Sequence, residues 1–600
     1  MIENLGNLER THSCGALRKG NVGERVTLMG WCARRRDFGP LTFIDLRDRD
    51  GLTQIVVNQE KAPEAHAKAK EVRGEYVLAV IGEVVLRDEG ARNPKLATGD
   101  VEVQATEIRV LNDARTLPFQ LDATEATLAA EDLRLKYRYL DLRRSQLQAN
   151  LRLRHRMILE INRHMDEQGF TQIETPNLIK STPEGARDYV VPSRVQPGKF
   201  FALPQSPQIF KQICMIAGLD KYYQIARCFR DEDLRADRQP EFSQLDVEMS
   251  FATPEQIYRL VEGLFARIFR LIDVELQTPF PRLTFAEAMR RFGSDKPDLR
   301  IPAMELQDLS EALAETTFAP YASILSAKGE IRSVVVSGGA SMSRKALDEL
   351  QEFAKRYGAT ALAWIKLGDE LTSSLLKALG HDKVVDLAGL AGAQKGDAVL
   401  IVAGKPGVVA ASLGALRNEV AKRENLIPEG VYAPLWVTEF PMFEYHEDDG
   451  RHYAMHHPFT SPLDEDVTVL KRAVNGESEL FGQLRAKAYD TVINGVEVAG
   501  GSIRIHRSDV QSLVFKALGM TEEQARARFG FFLEALTYGT PPHGGIASGI
   551  ERTLMVLVPT ENIREVMAFP KTASAQDLMI DAPGEADKKQ LDDLHLNIVD

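Results

Sequence analysis

Apolar and polar residues alternate with a period of two along much of the first hundred residues, then change to a helical rhythm. Strand-like runs cover 25–36, 41–48 and 52–57; a helical stretch covers 64–73; two more strands cover 76–85 and 101–103. Five strands with a helix after the third is the order of an OB-fold barrel, although any small β-barrel satisfies the same pattern. Leu151, Met157, Ile158, Ile161 and Met165 then predict a helix over about 150–168, ended by Gly169. Strands return at 222–229 and 242–248, joined by a charged loop. The apolar runs 333–336 and 398–402 belong to a block with its own strands and helices. Near the end, Asn494-Gly495 joins two strands, a strong hairpin signal, and a glycine-rich strand at 541–549 runs into an apolar helix.

Composition narrows the reading. A chain of 600 residues holds about four domains. A hydrophobic share of 44% supports packed cores. No apolar run approaches the roughly 18 residues of a membrane span, and Met1-Ile2-Glu3-Asn4 lacks the pattern of a signal peptide. The four cysteines, Cys14, Cys32, Cys214 and Cys228, form no Cys-x-x-Cys pair. That argues for a reducing, cytoplasmic setting without a disulfide framework or zinc site. A net charge of −12 excludes a generic nucleic-acid coat; any RNA binding is local and selective.

Several stretches carry chemistry. The loop between strands 222–229 and 242–248 sets Arg230, Arg235 and Arg238 among Asp231, Glu232, Asp233 and Asp237. Arginine on a rigid hairpin grips phosphate or carboxylate at two points, and Phe242 offers a face to a purine. The same charges equally suit a solvated hairpin. Arg34-Arg35-Arg36, Phe43 and Gln54 combine cations, an aromatic and an amide on neighbouring strands, a surface suited to unstacked RNA bases; Phe43 also suits a core position. Asp490 and Glu497 flank the Asn494-Gly495 turn and suit magnesium, or form an exposed charged pair. His456-His457 is a ligand pair or a structural one.

Order and detail together resolve these alternatives. Gly169-Phe170-Thr171-Gln172-Ile173-Glu174-Thr175-Pro176, then Phe229-Arg230-Asp231-Glu232 with Arg238 and Phe242, then Gly544-Gly545-Ile546-Ala547-Ser548-Gly549-Ile550-Glu551-Arg552, resemble motifs 1, 2 and 3 of class II aminoacyl-tRNA synthetases. The string from Cys228 to Phe242 resembles the bacterial aspartyl branch. Ala547 departs from the glycine common there. In the block between motifs 2 and 3, Val402-Ala403-Gly404 stands where that branch has Gly-Ala-Asp, which leaves the block's role open.

The resemblance implies an α/β multidomain protein. An OB-fold anticodon-binding domain occupies 1–113 and a hinge 114–145. The catalytic domain, an antiparallel sheet flanked by helices, occupies 146–300 and 429–570, interrupted by an α+β insertion at 301–428; 571–600 form an extension. It implies an aspartate–tRNA ligase using L-aspartate, ATP, Mg2+ and tRNA(Asp), assembled as a homodimer. Arg230 and Arg552 are the catalytic cations. Glu184, Ser206, Gln208, Lys211, Arg230, Asp246, His456 and Arg504 surround aspartate, with Asp246 on its ammonium and His457 assisting His456. Asp231, Glu232, Gln239, Phe242, Glu497, Gly549, Ile550, Glu551 and Arg552 join Arg230 on ATP; Asp490 and Glu497 hold the metal. Arg36, Phe43, Gln54 and Glu102 read the anticodon. Phe38 and Gly90 stand where the discriminating type has leucine and lysine, which leans toward charging tRNA(Asn) as well. The alternatives are a strictly tRNA(Asp)-specific enzyme, a sibling synthetase for asparagine or lysine, and an RNA-binding relative without catalysis.

Overall fold

The computed structural model describes residues 2–181, 186–301, 304–446 and 449–599. It divides into two compact units. One runs to Arg152 and regains 568–572 and 576–583; the other takes the rest. In the first unit, β1 (Arg25–Asp37), β2 (Leu41–Arg47), β3 (Leu52–Asn58), β4 (Val77–Leu86) and β5 (Val101–Asn112) close into a barrel in the order β1-β2-β3-β5-β4. The helix Pro63–Glu71 follows the third strand, as the period predicts. Inward positions such as Val26, Leu28, Ile44, Leu46, Ile55 and Val57 form the core, each contributing about 1.5–3 kcal/mol on burial. The alternating positions are less buried and mixed, with Thr27, Asp45, Arg47 and Gln54 beside Met29, Trp31 and Phe43.

After β5 the charges of the connecting segment turn inward. Two short helices, Glu131–Lys136 and Arg138–Asp141, gather three arginines around the buried Asp141. Asp141 Oδ2 accepts from Arg134 Nη1 at 3.3 Å and Arg138 Nη1 at 2.5 Å, and Oδ1 from Arg144 Nη1 at 3.2 Å. Arg138 Nε also donates to the Ala568 carbonyl at 2.9 Å, fastening the returning segment. The following helix runs Ser145–Glu167. It starts before 150 because Leu147, one turn ahead of Leu151 on the same stripe, is already buried.

The second unit is built on β6 (Thr171–Gln172), a hairpin of β7 (Val190–Pro192) and β8 (Phe200–Ala202), β9 (Lys221–Phe229), β10 (Glu241–Ser250) and β11 (Arg282–Thr284). The inserted block adds β12 (Gln307–Asp308), β13 (Glu330–Val336), β14 (Ala363–Leu367), β15 (Leu371–Ser373) and β16 (Ala398–Gly404). Then come β17 (Pro434–Thr438), the hairpin β18 (Phe443–His446) and β19 (Arg451–Ala454), β20 (Ala488–Ile493), β21 (Val496–Ile503) and β22 (His543–Gly549). The main sheet has the order β11-β17-β20-β21-β22-β10-β9-β6. It is antiparallel except for its two outermost pairs, β11–β17 and β6–β9. The inserted block forms its own sheet, β12-β13-β16-β14-β15.

Helices cover one face of the main sheet. Met157, Ile161 and Met165, then Leu264 and Phe265 of the helix Pro254–Arg270, and Leu554 of the helix Ile550–Leu557 pack on Leu245 and Val247 of β10. The 254–270 helix starts where Thr253 and Gln256 cap each other's backbone groups and Pro254 follows. Leu245 and Val247 commit alternate β10 residues to this core, so the residues between them face the other way.

The cluster at Asp141 makes a prediction. Asp141→Asn leaves three guanidinium groups around a neutral amide, so the barrel-bearing unit loses about 3 kcal/mol or more of unfolding free energy. Denaturant unfolding checks this; a loss under about 1 kcal/mol, the value of an exposed pair, contradicts it.

Candidate active site

On that other face, Phe242, Gln244, Asp246 and Glu248 follow one another at every second residue of β10. Their β22 neighbours are small: Gly549 lies opposite Gln244, Ala547 opposite Asp246 and Gly545 opposite Glu248. A cavity of about 560 Å³ occupies the space left. The close approach requires glycine at 545, where a Cβ would sit 2.1 Å from Glu248 Oε2.

The cavity floor holds four buried charges. Lys211, on the helix Gln208–Ile216, donates to Asp246 Oδ1 at 2.9 Å and lies 3.6 Å from Glu248 Oε2. Arg504 donates through Nε to Glu248 Oε1 at 2.9 Å and through Nη2 to Oε2 at 3.1 Å. Its Nη1 faces Ser502 Oγ at 2.7 Å and His457 Nε2 at 2.6 Å. All four charged side chains are at most 2% exposed. Burial works against the Glu248 charge, but Arg504 and Lys211 outweigh it and hold the carboxyl below its ordinary range. His457 is held far below the ordinary imidazole range, first by burial and then by Arg504. It is therefore neutral, with Nε2 accepting from Arg504.

Donors and acceptors in this cluster do not balance. Four of the five Arg504 N–H groups are used. Lys211 makes one hydrogen bond. At least one guanidinium N–H and one ammonium N–H therefore remain, against one unpartnered acceptor, Asp246 Oδ2. Gln208 Nε2 is a further buried donor without a partner. Leftover donors around a single acceptor suit a ligand with a carboxylate and an ammonium group.

A second group of charges lies beside the β20–β21 turn. Asp490 and Glu497 both line the cavity, and Gly500 makes room for them: a Cβ there would lie 2.7 Å from Asp490 Oδ1 and 3.6 Å from Glu497 Oε1. Burial, then the neighbouring Glu497 charge, raises the Asp490 carboxyl, although the nearby His456 opposes this. Glu497 is also penalised by burial, but Lys296 and Arg552 outweigh that and lower it. Lys296 Nζ lies 2.8 Å from Glu497 Oε2, Arg552 Nη1 lies 3.9 Å from it, and His456 Nε2 lies 3.8 Å from Asp490 Oδ1. Two carboxylates that share one space are a hard-oxygen donor set, which fits magnesium completed by phosphate oxygens. Among the described residues no group of three or more His, Cys, Asp or Glu side chains is arranged as a metal site.

At the far side Arg230 lies over the Phe242 ring, 5.1 Å from its centroid. Arg238 donates to Glu232 at 3.0 Å, and Gln239 is buried nearby. Arg230, Glu232, Gln239, Phe242, Glu497, Gly549, Glu551 and Arg552 line one cavity with Ser206, Gln208, Lys211, Asp246, His456, Asp490 and Arg504.

Four expectations change. Asp231 does not line the cavity; it pairs with Arg187 at 3.5 Å near the surface. The Ile550 side chain is buried in the helix-side core because it starts the helix on its apolar stripe. Glu551 Oε2 accepts from the Ser243 amide at 3.0 Å, and Oε1 lies 2.8 Å from Arg154 Nη1, so its carboxylate ties motif 3 to β10 and to the helix Ser145–Glu167. Asp246 gives one oxygen to Lys211, leaving Oδ2 alone for an ammonium group. Glu184 lies outside the described residues. Glu248 and Lys296 were missed. The β10 alternation that singles out Asp246 also points to Glu248; no local pattern marks Lys296.

The barrel carries a separate polar face. Arg36 Nη2 donates to Asp45 at 2.9 Å and to Gln54 at 3.2 Å, and Gln54 Nε2 donates to Glu102 at 2.8 Å. Arg36 lies 6.0 Å from the Phe43 ring centre, and the exposed Phe38 meets Phe43 edge-on at 5.7 Å. Burial raises the Glu102 carboxyl. Gly90 is exposed on the turn after β4.

Residues 130–573 match the family described as tRNA synthetases class II (D, K and N), and residues 26–111 match the OB-fold nucleic acid binding domain. The chain is 49% identical over 599 residues to the Aspartate–tRNA(Asp/Asn) ligase of Halothermothrix orenii, and 52% identical over 600 residues to that of Caldanaerobacter subterraneus; both alignments cover 100% of each chain. It is 50% identical over 595 residues to the Aspartate–tRNA ligase of Geobacillus kaustophilus, covering 99% of both. Its fold is similar to that of asparaginyl-tRNA synthetase from Pyrococcus horikoshii complexed with asparaginyl-adenylate (TM-score 0.58, 18% identity, 94% of this chain and 98% of the other). A similar fold occurs in aspartyl tRNA synthetase from Entamoeba histolytica (TM-score 0.58, 18% identity, 94% and 92%). With matches over most of its length, and with residues of its second and third motifs lining one cavity, the chain belongs to the class II tRNA synthetases of the aspartate, lysine and asparagine group.

Proposed function

We propose that this enzyme is an aspartate–tRNA ligase that joins L-aspartate to ATP as aspartyl-adenylate, releases pyrophosphate, and passes the aspartyl group to the 3′ end of tRNA(Asp) and also of tRNA(Asn). The observation that carries the reading is the surplus of donors at Lys211 and Arg504. The β-carboxylate of aspartate accepts from both. The amide of asparagine would turn an NH2 group toward buried cations, at a cost of several kcal/mol. Asp246 Oδ2 takes the ammonium, with Ser206, Gln208 and His456 around it; Glu184 keeps the aspartate-binding role that the resemblance implies.

The α-carboxylate attacks the α-phosphorus, so two anions must meet. Fixed positive charge matters more here than a general base. Arg230 bridges the reacting carboxylate and phosphate, Arg552 holds the outer phosphate, and Phe242 stacks on adenine with Glu232 and Gln239 at the nucleotide. Asp490 and Glu497 are the residues that hold Mg2+, which neutralises phosphate charge when bound. The barrel face of Arg36, Phe43, Gln54 and Glu102 reads the anticodon. The printed names of the Halothermothrix and Caldanaerobacter relatives support tRNA(Asn) as a second substrate, as do Phe38 and Gly90. We further propose a cytoplasmic homodimer joined through the 145–172 helix–strand unit, with the domain limits given by the sequence.

Aspartate-dependent ATP–pyrophosphate exchange and aspartylation of purified tRNA(Asp) and tRNA(Asn) test the proposal; exchange driven by asparagine or lysine instead overturns it. Lys211→Leu lowers aspartate-dependent exchange by about a thousandfold or more, and retained exchange counts against the assignment. Gln54→Ala raises the KM for tRNA by about tenfold and leaves exchange unchanged; an equal effect on both reactions contradicts a role confined to RNA. Protonation gives a third prediction. The folded pKa of His457 is depressed, so the unfolded chain binds the extra proton. Its stabilising contribution is complete above about pH 6.5 and is lost as pH falls below it. His457→Gln removes about 1.3 kcal/mol of the stability lost between roughly pH 7.5 and 5.5. Denaturant unfolding at both values measures it, and an unchanged loss contradicts it.

A further inference from the structure

The segment after the helix Phe285–Phe292 reaches the cavity with Asp295 and Lys296. Lys296 is the cation nearest the carboxylate pair, 2.8 Å from Glu497 Oε2, against 3.9 Å for Arg552. Its side chain is 40% exposed, so the ammonium is free to change partners. We propose that Lys296 is a triphosphate-binding residue of the adenylation site: it pairs with Glu497 before the nucleotide enters and bonds the outer phosphates of ATP once Glu497 turns to a divalent cation. This rests on the reading of the cavity as an ATP site.

Position along the cavity assigns the phosphates. Arg552 stands between two groups, 3.8 Å from Asp237 on the loop between Arg230 and Phe242 and 3.9 Å from Glu497, and Lys296 lies on its Glu497 side. A cation there meets the β- and γ-phosphates and stays clear of the adenosine. Lysine suits the role because a compact ammonium on a flexible stem changes partners at little cost in geometry.

The inserted block holds this segment in place. Arg417, on the helix Pro406–Arg423, is almost fully buried and, among the described residues, has no carboxylate at ion-pair distance. Its Nη2 donates to the carbonyls of Asp298 at 2.8 Å and Ile301 at 3.0 Å, and its Nε to that of Met304 at 3.1 Å. Gly293, where the segment begins, packs so closely on the same helix that a Cβ would lie 2.4 Å from the Ala410 carbonyl. Arg417 is therefore a positioning residue. Through it the insertion, whose role the sequence left open, fixes the backbone that presents Lys296.

The test compares ATP and AMP binding, each with Mg2+ and without aspartate, by calorimetry on the full chain. Lys296→Met weakens ATP binding by about tenfold or more and leaves AMP binding within about twofold, while Lys296→Arg recovers most of the ATP affinity. Unchanged ATP affinity in Lys296→Met, or equal losses for ATP and AMP, overturns the inference. Absence of ATP binding by the unaltered chain overturns the reading of the cavity instead. Arg417→Gln raises the KM for ATP more than it lowers kcat; a fall in kcat alone removes its positioning role.

Discussion

Two cations and two anions, Lys211, Arg504, Asp246 and Glu248, are buried together beneath the cavity. Burying any one of them alone would be prohibitive, and their mutual pairing is what permits it. Much of the local architecture serves that pairing. Motif 3 supplies Gly545 because Glu248 needs the space. His457 stays neutral because burial and then the Arg504 charge disfavour its protonation, which leaves it an acceptor beside Arg504. The pairs are strong but incomplete, and the incompleteness creates the binding chemistry: donors remain where a carboxylate belongs.

The same logic extends along the cavity. Gly500 opens space for Asp490 and Glu497, and Lys296 with Arg552 supplies their counter-charge. The end at Lys211 and Arg504 is buried, whereas Lys296 and Arg552 at the other group of charges are partly exposed. That difference fits the chemistry, since side-chain selection needs fixed geometry while triphosphate and metal must enter and leave.

How much was legible follows from which interactions are local. The barrel was, because period-two alternation from Val26 to Val57 sets its inward face. The two arms of motif 2 were, because they pair strand to strand. The polar face of the barrel was, with Arg36, Gln54 and Glu102 joined in one chain of hydrogen bonds. The inward turn of the charges around Asp141 was not, because a charged run looks the same whether it is solvated or folded onto one carboxylate. Lys296 was not, because its partner Glu497 lies two hundred residues away, beyond an insertion. Side-chain direction at Asp231 and Ile550 was not legible, because motif membership does not set it: Asp231 turns to Arg187, and Ile550 follows the apolar stripe of its helix into the core.

Selection by leftover donors is the central claim, and it concerns binding before any chemistry. Calorimetric titration of the full chain with L-aspartate and with L-asparagine, without nucleotide, tests it most directly. The account predicts that aspartate binds about a thousandfold or more tightly than asparagine. Affinities within about tenfold of each other would mean that the buried charges do not choose the substrate.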